Sequence, residues 1–562
     1  MKREDESIPL APSMTPMLAG KRMFISNKVD KRVLYLSIQA VVNAIVIGVI
    51  ARGLVYLIDL ITNLAFYGKF SFSPASPAHN TLGFMVIAIP IAGSLIVGLI
   101  ARFGSKAIRG HGIPEAMEKI IVDESRIPPP ITLLKPLSAA ISIGTGGPFG
   151  AEGPIIATGG AFGSFTGQIM HISPTERKII LSAGACAGMA AIFGSPLAAV
   201  LLAIELLLFE FSARSIIPVA LACVTGAGMH IWLFSSGPVF PMEHIPVPGN
   251  EALLLYILMG VLIGVIASLV SKSVYAVEDL FERLPIHWMW WPAIGAIAVG
   301  VTGYFAPYTM GVGYENIEHL LTGHLPLMMI VSLCILKYVS WVISLGSGTS
   351  GGTLAPLLTI GGATGALIGM LFMQLFPGSG VNLATAALIG MAAMFAGASR
   401  ALLTSIIFAL ETTGQSNGLL PLLGACVAAY FVSFFLMKGT IMTEKIRRRG
   451  VATPNDYEPD VLTLILVKKI MSPLKDLPPD TPAVSENDHL GICIQLMGQQ
   501  SVSELFVTDK DNHNKIKGVI SAAAIMGYYS EQKTAAHRYN APRRTMRWMV
   551  RTRQVMQPKA KR

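Results

Sequence analysis

The sequence predicts an all-α polytopic membrane protein with broken helices, built from two related halves and followed by a small α/β segment. Three observations predict it. First, the 562 residues are 52% hydrophobic and only 14% charged, against about 25% charge in soluble proteins. Second, long apolar runs recur: Leu34 to Ile50, Leu82 to Ile100, Ser215 to Leu233, Ala252 to Val270, Ala293 to Tyr304, Leu327 to Val342, Ala386 to Phe395 and Leu419 to Leu436. Other runs are too short or too rich in glycine to cross a bilayer alone, which is tolerated only where protein or a water-filled cavity satisfies the backbone. Third, Ile141 to Gln168 returns without a gap as Ile343 to Met370, an offset of 202 that preserves Gly144/Gly346, Gly146/Gly348, Gly150/Gly352, Pro154/Pro356, Gly159/Gly361, Gly163/Gly365 and Gly167/Gly369.

Residues 1–32 are polar and carry Lys21, Arg22, Lys28, Lys31 and Arg32 ahead of the first apolar run, so no cleavable signal peptide is expected. Arg447, Arg448 and Arg449 follow the last run, and the tail from Lys533 is basic. By the positive-inside tendency both termini are expected in the cytoplasm, with the plasma (inner) membrane as the location. The net charge of +10 sits largely in these flanks. It reads as topology and attraction to anionic lipid, not nucleic-acid binding. Residues 33–450 form the membrane domain, divided into halves at about 33–213 and 250–450. A second repeated pair supports the division: Gly184 to Glu205 matches Gly390 to Glu411 at an offset of 206, with Ala187/Ala393 shared and Leu197/Leu403 in register. Transporters built from repeats place substrate where broken helices of the two halves meet.

After residue 450 the composition changes, with Asp456, Glu458 and Asp460 among prolines. Residues 451–530 read as a strand, a helix at Leu490 to Met497, a strand at Glu504 to Thr508, a polar turn at Asp509 to Asn514, a strand at Gly518 to Ile520 and a helix at Ala522 to Tyr528. So small a unit is marginal alone, and it is expected to pack on a partner copy or on the membrane domain. Residues 531–562 form a basic tail needing no fold, where Trp548, Met549 and Val550 could touch a membrane. The five cysteines are scattered without metal-type spacing. No cofactor and no metal are expected.

The chemistry lies at three glycine-proline helix starts: Gly110-His111-Gly112-Ile113-Pro114, Gly150-Ala151-Glu152-Gly153-Pro154 and Gly352-Thr353-Leu354-Ala355-Pro356. Each leaves unpaired amides at the positive end of a helix dipole, about half a unit charge apiece. Together they suit a small anion, and without a lysine or arginine in the motifs the anion can also leave. At the third position of the repeated element Glu152 faces Leu354. A carboxylate inside a membrane is costly and marks a functional site. Here it reads as a tethered anion: a gate, and a carrier of protons. For Gly159, Gly160 and Gly163 close helix packing suffices as an explanation.

In these motifs, their order and the two acid-ended helices, the chain resembles the CLC family of chloride channels and proton-coupled anion exchangers over about residues 33 to 450. The resemblance implies a homodimer with one pore per subunit, each built from an inverted repeat. It implies Glu152 as the gating glutamate, and anion contacts from Gly110, His111, Gly112, Ile113, Gly150, Gly153 and the amides of Thr353 and Leu354. The tail segment looks like a single CBS motif. Four positions depart from the family pattern. His111 replaces a serine or proline, and its ring either donates to the anion or turns away. Met442 stands at the inner gate position, where the family has a tyrosine. Leu206 occupies the place of the internal proton-accepting glutamate and cannot relay a proton. Ala151 replaces the arginine common beside the gating glutamate. Beside Leu206, Glu205 is a candidate relay or a structural cap.

These substitutions favour a voltage- or pH-gated chloride channel, with a proton-coupled chloride antiporter of atypical internal proton path as the alternative. A cation-coupled transporter fits poorly, because the repeated motifs present amides and acids are few. An intramembrane hydrolase is the enzyme alternative, through Gly348-Thr349-Ser350-Gly351-Gly352. No accompanying motif supplies its histidine and acid, so no catalytic role is assigned.

Overall fold

The computed structural model describes residues 31–451, 462, 465–473, 481–509 and 516–539, in two units that divide near residue 455. The expectations for Lys21, Arg22, Lys28, Asp456, Glu458, Asp460, Trp548, Met549, Val550 and residues 510–514 of the polar turn lie outside the described residues.

The membrane unit is helical throughout. Before residue 250 it runs α1 (Lys31–Tyr67), α2 (Ala88–Phe103), α3 (Ile113–Val122), α4 (Ile131–Gly144), α5 (Glu152–Ile169), α6 (Pro174–Phe193), α7 (Pro196–Leu202) and α8 (Ala213–Leu233). It continues with α9 (Asn250–Glu282), α10 (Trp291–Phe305), α11 (Tyr314–Thr322), α12 (Leu327–Gly346), α13 (Leu354–Leu375), α14 (Leu383–Ser399), α15 (Leu402–Thr413), α16 (Leu419–Leu436) and α17 (Glu444–Arg448). Seven helical segments among the described residues are long and apolar enough to span a bilayer, and α4, α14 and α15 are shorter apolar helices. The chain is an integral multi-pass membrane protein. The apolar runs at Ala293 to Tyr304 and Ala386 to Phe395 belong to helices of 15 and 17 residues. Both stand among the long apolar runs of the sequence, yet neither helix reaches the length of the seven spanning segments.

The halves meet with two-fold reciprocity. Gly150 forms an isolated antiparallel bridge with its own repeat mate Gly352, whose N–H donates to the Gly150 carbonyl at 3.1 Å. Glu205, at the end of the α7 segment, accepts the Leu403 N–H at 2.9 Å, the Thr404 N–H at 2.9 Å and the Thr404 hydroxyl at 2.6 Å. Glu411, at the end of α15, accepts the Leu197 and Ala198 N–H groups at 3.0 and 2.8 Å. Each acid thus caps the first turn of the mated helix in the other half, where the amides have no intrahelical acceptor. Glycines let the paired helices close: a Cβ on Gly159 would strike the Gly184 backbone, and one on the mate Gly361 would lie 2.6 Å from the Gly390 carbonyl.

The C-terminal unit is a three-stranded sheet in the order β1 (Ala483–Ser485), β2 (Glu504–Thr508), β3 (Ile516–Ser521), with α18 (Leu490–Gln500) and α19 (Ala522–Tyr539). The first pair is parallel and the second antiparallel. Val467, Val484, Leu490, Cys493, Leu505, Val507 and Ile520 are its buried core. Helix α19 runs eleven residues past the expected end at Tyr528, because Glu531, Gln532, Lys533, Ala535 and Ala536 are all good helix formers.

Candidate functional site

The three glycine loops lie against one another. Gly110 bridges to Ser350, and its N–H donates to the Thr349 carbonyl at 3.0 Å. Gly112 takes φ +97°, open in practice only to glycine. A Cβ on Gly153 would run into the His111 carbonyl and lie 2.8 Å from Gly352 Cα. The starts of α3, α5 and α13 therefore converge, each presenting the amides of a helix N-terminus.

Glu152 is the first residue of α5 and is fully buried. Its Oε1 accepts the Ala355 N–H of α13 at 2.7 Å, and its Oε2 accepts the Tyr314 hydroxyl at 3.3 Å. The carboxylate occupies the positive end of the mated helix, in the place where a free anion would be held. Thr353 and Leu354 are each 1% exposed beside it. Nothing in the sequence singles out Tyr314, although Gly311-Val312-Gly313 before it repeats the spacing of Gly110-His111-Gly112.

His111 is 5% exposed, and its Nδ1 is buried without a hydrogen-bond partner among the described residues. A buried unpaired ring nitrogen is costly and suits a ligand or ordered water at this point. The loop carrying it is pinned from behind. Lys135 Nζ donates to the Ile108 and Gly110 carbonyls at 2.8 and 2.7 Å, while Glu115 accepts the Gly112 N–H at 2.7 Å and the Lys445 ammonium at 3.0 Å. A cavity of about 510 Å³ reaches Gly112, lined by Lys106, Arg109, Lys135, Lys445 and Arg449 together with Glu115 and three other acids.

Met442 is fully buried, and the carbonyl of the preceding Ile441 accepts the Tyr275 hydroxyl at 2.7 Å. A tyrosine thus does stand near the inner gate position, with its hydroxyl engaged by main chain; its distance in sequence hid it. Leu206 is 4% exposed in a π-helical turn, Ala203–Leu208. The carboxylate of Glu205 is taken up by the cap on α15. Ser350 accepts a hydrogen bond from Ser138 at 3.1 Å, and among the described residues no histidine or acid is bonded to it.

Residues 92–434, more than half of the chain, match the sequence model of the voltage gated chloride channel family. The H(+)/Cl(-) exchange transporter ClcA of Yersinia pestis is 30% identical over 351 residues, covering 60% of this chain and 72% of its own. A putative chloride channel protein, ClcB-like, of Ralstonia nicotianae is 26% identical over 348 residues, covering 61% of this chain and 81% of its own. The crystal structure of a slow cyanobacterial Cl-/H+ antiporter superposes with a TM-score of 0.66 at 24% identity, covering 74% of this chain and 97% of the other.

These findings overturn the expectation of a voltage- or pH-gated channel. The relative at 30% identity is named an exchanger, while the channel name belongs to a relative at 26% and is itself putative. The expectation rested on two missing side chains, at Leu206 and Met442. A proton can travel through water as well as through a carboxylate, so the loss of one relay residue does not remove coupling. By the family match and the 30% relative, the chain belongs to the CLC family of voltage gated chloride channels and transporters.

Proposed function

We propose that the protein is a proton-coupled chloride antiporter in which Glu152 is both gate and proton carrier. As a CLC protein it moves ions and is not a catalytic enzyme. The observation that carries the proposal is the Glu152 carboxylate bonded to the Ala355 amide at the start of α13. Ionised, it fills the anion position; protonated, it loses its hold on the helix dipole and leaves the amides of Thr353, Leu354 and Ala355 to chloride. Gly110, His111, Gly112, Ile113, Gly150 and Gly153 form the rest of the anion cradle, with a neutral His111 ring donating one N–H. Met442 is an apolar inner gate. Protons reach Glu152 from the cytoplasmic side through water in the cavity beside Gly112, since Leu206 cannot carry them and Glu205 serves as a cap.

The functional unit is a homodimer. Glu205 and Glu411 sit at half-exposed helix ends flanked by exposed Leu197 and Leu403. Carboxylates facing lipid are costly, and a second copy over α7 and α15 would cover them. The domain division is residues 1–32, the transport domain at 33–450, a cytoplasmic CBS-like segment at 451–530 and the basic tail at 531–562. Both termini are cytoplasmic and the membrane is the plasma (inner) membrane, as the flanking cations favour.

The test uses purified protein in liposomes under a chloride gradient, recording chloride efflux and proton uptake together. Wild type should move both, and Glu152→Ala should move chloride alone. Chloride flux without proton uptake in wild type, or proton uptake surviving in Glu152→Ala, would sink the proposal.

A further inference from the structure

Among the described residues, one side chain donates directly to the Glu152 carboxylate, and it is Tyr314. Tyr314 opens α11 immediately after Gly313, which takes φ +73°. The turn before it, Gly311-Val312-Gly313, corresponds to Gly110-His111-Gly112 at an offset of 201, so Tyr314 is the repeat mate of Ile113 at the start of α3. Both helix starts lie against the first turn of α5: a Cβ on Gly112 would strike the Gly153 carbonyl, and the Tyr314 hydroxyl reaches Glu152. The mates differ in chemistry. Ile113 offers only its main chain, whereas Tyr314 adds a hydroxyl.

The ring that carries this hydroxyl is fixed independently of the carboxylate. It stands edge-on to Phe193 of α6, with centroids 5.7 Å apart, and to Phe240, 5.8 Å apart. Phe193 in turn meets Phe408 of α15 at 4.9 Å, and the Phe240 N–H donates to the Thr412 carbonyl at 2.9 Å. Phe193, Phe240 and Phe408 are all buried. Edge-to-face contacts of this kind set ring orientation. When the carboxylate moves, the hydroxyl stays.

The spacing suits an occupant larger than a carboxylate oxygen. A hydroxyl on a carboxylate settles at about 2.5–2.7 Å, whereas this one stands 3.3 Å from Oε2. Chloride is larger than an oxygen atom and accepts hydrogen bonds at longer range. On the other side of the carboxylate the Ala355 N–H donates to Oε1 at 2.7 Å. A donor left without an acceptor at this depth is costly, and an anion taking the vacated place removes that cost.

We propose that Tyr314 is an anion ligand at the position that Glu152 fills when ionised. Its hydroxyl donates to the carboxylate while the gate is in place and to chloride once the gate has left. The inference rests on Glu152 being the gate.

The experiment is calorimetric titration of chloride into purified full-length protein at alkaline pH. Glu152→Ala empties the position and should bind chloride more tightly than wild type. In that background Tyr314→Phe, which keeps the ring and its aromatic neighbours, should weaken binding about tenfold. With Glu152 present the same change strips a donor from the gate as well as from the chloride that displaces it, so the shift should be smaller, within about threefold. If Glu152→Ala binds no more tightly than wild type, the carboxylate does not occupy an anion position and the gate reading fails. If it does, and Tyr314→Phe leaves the affinity of Glu152→Ala unchanged, the ligand role is overturned and the gate stands. A tyrosine that only latches the carboxylate would give that second result and would also tighten binding when removed with Glu152 present. Should the double variant not fold, anomalous diffraction from bromide in crystals of Glu152→Ala decides. An ion within hydrogen-bond reach of the Tyr314 oxygen supports the proposal, and one beyond its reach overturns it.

Discussion

Removing the Glu205 carboxylate separates a cap from a proton relay. Glu205→Ala deletes three acceptor contacts at the start of α15, from Leu403 N–H, Thr404 N–H and the Thr404 hydroxyl. Loss of an N-cap costs about 1 kcal/mol, and a further hydrogen bond to a charged acceptor adds about 1.5 kcal/mol. With the end covered by a second copy no water replaces these contacts, giving an expected destabilisation of about 2.5 kcal/mol. Glu205→Gln keeps an amide oxygen as acceptor and should cost about half as much. Glu411→Ala, which loses two contacts, should fall between them. Stability is read from unfolding of the detergent-solubilised protein by tryptophan fluorescence, and coupling from the ratio of protons to chloride moved in liposomes. The expected result is lowered stability with an unchanged ratio. A Glu205→Ala protein as stable as wild type would refute the capping argument. One that lost proton uptake while keeping chloride flux would make Glu205 a relay after all.

Gly153→Ala forces a Cβ onto the His111 carbonyl and toward Gly352; strain of about 1–3 kcal/mol at the converged helix ends should weaken chloride binding by about 5- to 150-fold, measured by calorimetry on purified protein. Tyr275→Phe leaves the buried Ile441 carbonyl without its 2.7 Å donor and should lower stability by about 1–2 kcal/mol, read from the same fluorescence unfolding. Val507→Ala opens a cavity under the central strand β2, where Val507 is fully buried. At about 2 kcal/mol it should make the C-terminal unit of the full-length protein far more sensitive to protease while chloride flux persists.

The membrane class and the broken helices were legible because bilayer hydrophobicity and glycine spacing act along the chain. The three loops were legible for the same reason, and Glu152 stood out against its mate Leu354. What the chain order hid were partners brought together across the two-fold relation. Ala355, which holds the Glu152 carboxylate, is 203 residues away, and Tyr275 bonds a carbonyl 166 residues on. The orientation of the His111 ring depends on what packs behind Gly110 and Gly112, namely Lys135, Glu115 and Lys445, and only the last of these is remote in sequence. The error over the channel had a different source. Leu206 and Met442 lack the side chains that a relay and an inner gate would use, but a side chain's absence says only that one route is closed.

Repeat mates also sort structure from function. Where both halves keep the same residue, the role is mechanical: Glu205 and Glu411 cap each other's half, and Gly159 and Gly361 admit a neighbouring helix. Where the mates diverge, the symmetry that folding needs is broken, and the break is placed at one spot. Glu152 against Leu354 puts a carboxylate on one helix end and not the other. Two identical halves would hold an anion from either side alike; a transporter that exchanges it for a proton needs a movable charge on one side only.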